Sequence, residues 1–127
     1  MRGNANLSDS ILSSVKKLIG INEEDVSFDI DIIFNINAAF STLYQLGVFN
    51  KPCSITSKYD TYSDIMPEGT DDVISQIKMY LVYKTKLGFD SSGLTGTMTQ
   101  TIKELINEAE WRLMVAFNPE GLFKSEE

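Results

Sequence analysis

The 127 residues contain no histidine and a single cysteine, Cys53. Without histidine there is no Ser-His-Asp or Cys-His catalysis, no His-ligated zinc and no imidazole pH switch. One cysteine leaves no intramolecular disulfide and no all-cysteine metal site, and it suits a reducing compartment. Basic residues are few: eleven Lys and Arg stand against eighteen Asp and Glu, a formal charge of −7. Such a chain has no overall electrostatic drive toward DNA, RNA or anionic lipid. Long apolar runs are missing, so a membrane span is not expected. Residues Met1 to Asn6 hold no apolar signal core, so secretion is not expected, and Asn6-Leu7-Ser8 is read as a chance glycosylation pattern.

What is present is a core. With 43% hydrophobic residues the chain is too apolar to be disordered. At this length folding buries about two-thirds of the surface of the unfolded chain. The expectation is one domain over residues 1–127, with residues 1–7 and 118–127 as flexible arms and no internal repeat.

Four helical patterns divide the sequence. The first runs from about Asp9 to Ile19, capped by Ser8 or Asp9, with Ile11, Leu12, Val15, Leu18 and Ile19 at helical spacing and Gly20 as its stop. Lys16 and Lys17 lie near its C-terminal end, where the helix dipole favours cations. The second runs from about Val26 to Leu46 and stops at Gly47, with Glu23, Glu24, Asp25 and Asp29 crowding its start. Its polar residues, Asp31, Asn35, Thr42 and Gln45 with Ala38, form one narrow stripe. The apolar arc exceeds roughly 200° at about 100° per residue, far wider than an ordinary surface helix carries. This helix must be covered on two sides, by a central position in the domain or by another subunit. Asn37 falls inside the arc and is expected to be a hydrogen-bonded amide.

Residues 49–69 break the periodicity with Pro52, Pro67 and Gly69. Cys53 to Thr56 reads as extended and Thr61 to Met66 as one helical turn. A loop this long in a small domain points to an interaction surface. The third helix runs from about Asp71 to Leu87, its core face made by Val73, Ile74, Ile77, Tyr80, Leu81 and Leu87. Lys84 lies on that face, either snorkelling to water or paired with a carboxylate. After a loop over residues 88–96, the fourth helix spans about Thr97 to Phe117, with Met98, Ile102, Leu105, Ile106, Ala109, Leu113 and Ala116 in one stripe. Trp111 and Val115 fall on the far side beside the Glu104/Glu108 row. Trp is enriched at interfaces, so Trp111 faces either another subunit or a covering segment of its own chain. Asn118-Pro119 ends the helix. The fold class is therefore all-α: a bundle of about four main helices, a long irregular loop over about 49–69 and a short C-terminal tail.

No catalytic constellation emerges. The glycines at 88, 93 and 96 have neither dinucleotide-binding nor P-loop spacing. The pairs Asp29/Asp31, Asp60/Asp64 and Glu104/Glu108 read as solvated charge, and Asp29, Asp31 and Asn35 lack the glycine and spacing of a calcium loop. Cys53 has only Lys51 nearby to activate it. The expectation is no enzyme, no metal and no cofactor. A small acidic helical domain with surplus apolar helix surface describes an assembly subunit. A helical regulatory or protein-binding module, monomeric or dimeric, is the alternative.

Three segments also resemble one family. They are Ile11-Leu12-Ser13-Ser14-Val15-Lys16-Lys17-Leu18-Ile19-Gly20-Ile21 with the following Glu23-Glu24-Asp25; Phe28-Asp29-x-Asp31-Ile32-Ile33 with Ile36-Asn37 and Gln45-Leu46-Gly47-Val48; and Tyr80-Leu81-Val82-Tyr83-Lys84-Thr85-Lys86-Leu87-x-Phe89-Asp90 with Glu110-Trp111-Arg112-Leu113. In order and spacing they resemble the head–tail connector (adaptor or head-completion) proteins of tailed phages. The chain departs from that pattern at Thr61-Tyr62-Ser63-Asp64, where the family commonly has a Trp, and at Ser91-Ser92, where it often has two prolines.

The resemblance implies a helical subunit that forms a ring, typically of twelve, on the portal protein. The ring extends the DNA channel, lets DNA pass without specific binding, and gives a tail or stopper protein a docking surface. It implies a place at the head–tail junction of the virion, with assembly in the host cytoplasm and no membrane contact. Candidate subunit-interface residues are Phe34, Tyr44, Trp111 and Val115. Candidates for contact with portal or tail are Lys51, Ile55, Tyr59, Tyr62 and Phe123. Candidate channel-facing acids are Glu23, Glu24, Asp25, Glu104 and Glu108, since negative charge repels phosphate and suppresses sticking.

Overall fold

A computed structural model describes residues 9–66, 71–89 and 94–117. Five helices follow one another: α1 (Ile11–Leu18), α2 (Asp29–Gln45), α3 (Tyr62–Ile65), α4 (Asp71–Phe89) and α5 (Gly96–Phe117). The all-α expectation holds, the expected turn at 61–66 being the short α3, and among the described residues no strand is present. The expected arms at 1–7 and 118–127, the Asn118-Pro119 stop, Phe123 and the Asp90 to Gly93 loop lie outside the described residues.

The two glycine stops act as the sequence suggests. Gly20 and Gly47 both have φ of +88°, the left-handed conformation that closes a helix. At the first, Gly20 N–H reaches the Lys17 carbonyl at 3.2 Å and Ile21 N–H the Lys16 carbonyl at 2.8 Å. At the second, Gly47 and Val48 repeat the pattern on Tyr44 and Leu43 at 3.1 and 2.9 Å.

The helix starts differ from expectation. Ser10, not Ser8 or Asp9, caps α1, its hydroxyl accepting from Ser13 N–H at 3.1 Å. Asp9 and Ser10 instead join the chain before α3: Tyr62 N–H donates to the Asp9 carbonyl and Ile11 N–H to the Asp60 carbonyl. Helix α2 begins at Asp29, three residues late, because side chains just before it satisfy the backbone locally. Glu24 N–H donates to Asn22 Oδ1 at 2.8 Å, and both the N–H and the hydroxyl of Ser27 donate to Asp25 Oδ1. Such local bonds compete with helix formation.

Lys16 holds this strap in place. It is 2% exposed, and its ammonium donates to the Glu23 carbonyl at 2.9 Å, the Asp25 carbonyl at 2.8 Å and Asp29 Oδ1 at 2.8 Å. All three N–H donors are used, so the buried charge is satisfied.

The core gathers Ile11, Leu12 and Val15 of α1, Ile32, Ile36, Ala39, Phe40 and Leu43 of α2, Ile77, Tyr80 and Leu81 of α4, and Val48, Phe49, Ile55 and Tyr62 from the long connection. Asn37 joins that connection to α2 as a two-way amide, donating to the Ile55 carbonyl at 3.0 Å and accepting Ile55 N–H at 2.8 Å. Helix α4 packs against α1, α2 and α5, whereas α5 packs mainly on α4 and buries only Ile106 and Leu113. Phe28, just before α2, meets Phe89 at the end of α4 edge to face at 5.3 Å, so α2 and α4 run antiparallel. The short connection from Phe89 to Gly96 makes α4 and α5 an antiparallel hairpin, tied near its middle by Tyr80 Oη donating to Glu110 Oε2 at 2.7 Å.

Two consequences are measurable. Lys16→Met strips Asp29 and two carbonyls of their donor and lowers the unfolding free energy by about 2–3 kcal/mol, the partly exposed Asp29 keeping the loss below that of a fully buried pair. A loss under about 0.5 kcal/mol in urea titration would show that the clamp carries no weight. Thr85 is fully buried and its hydroxyl has no hydrogen-bond partner among the described residues, so Thr85→Val raises stability by about 1 kcal/mol. A destabilised Val variant would mean that the hydroxyl is bonded.

Candidate assembly surfaces

The wide apolar arc of α2 is covered on only part of its width. Helices α1 and α4 cover Ile32, Ile36, Ala39, Phe40 and Leu43, but Ile30 is 83% and Phe34 73% exposed. They stand one turn apart on one side of the helix, and Val26 and Phe28 before it are exposed as well. On α5, Trp111 is 62% and Val115 41% exposed, again one turn apart. No described segment covers Trp111. Large side chains this exposed, in pairs on rigid helices, are the form that interaction surfaces take.

The remaining candidates divide. Phe34, Trp111 and Val115 are open to contact, and Tyr44 is half-buried. Lys51 and Tyr59 are exposed, the Tyr59 ring lying under the Lys58 ammonium at 5.5 Å. Ile55 and Tyr62 are corrected: they are 1% and 2% exposed and belong to the core, so a surface contact does not fall to their side chains. Loop composition misleads there because the connection folds inward. Tyr62 bonds its hydroxyl to Ser14 and carries the Lys78 ammonium 4.5 Å over its ring. Burial, the larger influence, raises the pKa of that phenol.

Glu23, Glu24, Asp25, Glu104 and Glu108 are all exposed, the first three on the strap before α2 and the other two on the outer side of α5. The structure thus puts the two acidic groups on separate elements. Asp25 is held below the usual carboxylate range, chiefly by the Ser27 hydroxyl and then by Ser27 N–H. Glu108 pairs with Arg112 at 2.6 Å, an exposed i, i+4 bridge that is easily exchanged. Lys84 has no carboxylate partner among the described residues; its ammonium sits 5.9 Å over the Tyr80 ring. Burial pushes the Cys53 thiol up, with Lys51 pulling weakly the other way, so little thiolate forms at neutral pH.

Sequence reading missed two groups. Ile30 belongs to the arc but was not singled out, and the helical period alone does not say which edge stays bare. The Lys16 clamp has no sequence signal, because two of its three acceptors are backbone carbonyls placed by the strap. Among the described residues no three His, Cys, Asp or Glu side chains gather as a metal site, and no helix is long and apolar enough to cross a membrane.

These features define a small all-α protein with apolar helix faces that its own fold leaves uncovered. The chain belongs to the phage connector protein family, whose model matches residues 11–120, a stretch that includes all five helices. It is a phage head–tail connector in that general sense, and so a virion component that meets other virion proteins. No curated protein and no solved structure matches it.

The turn before α3 offers a pH test. Asp60 accepts Thr56 N–H at 2.8 Å and Ser57 N–H at 3.2 Å, and these bonds, the Thr56 N–H first, hold its pKa below the usual value. A depressed carboxylate contributes stability above the unfolded value of about 3.9, and that contribution is lost as pH falls through the lower folded value. Asp60→Asn should therefore unfold at lower urea than the parent at pH 7, with the gap closing below about pH 4. A gap independent of pH would contradict the assignment.

Proposed function

We propose that the chain is a non-catalytic connector subunit that packs side to side into a ring on the portal, extends the DNA channel and presents a docking surface to a tail or stopper protein. The exposure of Ile30 and Phe34 on α2 and of Trp111 and Val115 on α5 carries this reading. Each pair stands on a long helix braced by α4, so the faces are rigid before any partner arrives. Family membership supports the same reading.

The charge supports it too. A net −7 per subunit, repeated around a ring, repels phosphate and keeps a passing duplex from sticking. Glu23, Glu24, Asp25, Glu104 and Glu108 are candidates for lining the channel, and Lys51 and Tyr59 for meeting portal or tail.

Light scattering and negative-stain microscopy, with and without purified portal, test the proposal. The parent chain forms rings alone or on the portal. Trp111→Ala weakens assembly and leaves the helical circular dichroism unchanged, since a side chain 62% exposed adds little to the core. A chain that stays monomeric and never associates with portal would favour an independent binding module instead. Unfolding of Trp111→Ala would place that residue in the core.

A further inference from the structure

We draw no further inference here: the strongest candidate, the pair of bare apolar faces formed by Ile30 and Phe34 at the start of α2 and by Trp111 and Val115 at the end of α5, carries nothing beyond the proposed function, because nothing in the structure shows what covers them.

Discussion

Helix α4 must be apolar on more than one side, and the rest of the molecule follows from that constraint. It meets α1 and α2 through Ile77, Tyr80 and Leu81, and it is nearly all that α5 packs against. A helix between neighbours can satisfy both, but its neighbours are then covered mainly on the side that faces the bundle. Helix α5 rests on it with two buried side chains, Ile106 and Leu113, and leaves Trp111 and Val115 outside. Helix α2 gives α4 and α1 one part of a very wide apolar arc and keeps Ile30 and Phe34 bare. The uncovered faces thus follow from how the described helices are layered. Among the described residues no further helix lies over them.

The second organising element is Lys16, a charge placed where an apolar residue would be expected. Its three short bonds fold the acidic strap back onto α1 and fix where α2 begins. That placement sets the position of Val26, Phe28 and Ile30, the exposed apolar residues around the start of α2. Structure and surface are linked there: the clamp is a feature of folding, and what it displays is a feature of assembly. The Tyr80–Glu110 bond has the same double character between α4 and α5. The phenol is fully buried, and burial together with the neighbouring carboxylate pushes its pKa upward, so it remains a donor.

Much of this was legible in the residues, for identifiable reasons. Gly20 and Gly47 mark helix ends because the left-handed position admits few other residues. Asn37 could be read as a bonded amide because a polar group inside an apolar arc needs a partner, and it finds two in Ile55. Trp111 stands out because its position on the wheel disagrees with its chemistry. Other features depend on distant chain. Ile55 and Tyr62 looked like loop surface, and only the folding of residues 49–66 over α1 and α2 makes them core. Ser10 takes the cap because Asp9 is engaged with Tyr62, a long-range contact invisible to local pattern. The excess of apolar surface on α2 was readable as a quantity, and which edge would stay bare was not.

The central claim is that the bare faces of α2 and α5 are subunit boundaries. An electron cryo-microscopy map of the chain assembled on its portal tests it most directly. The account predicts that Phe34 and Trp111 are both buried at boundaries between subunits, repeated around the ring. A ring whose boundaries are made elsewhere, with Trp111 facing solvent or the lumen, would contradict it.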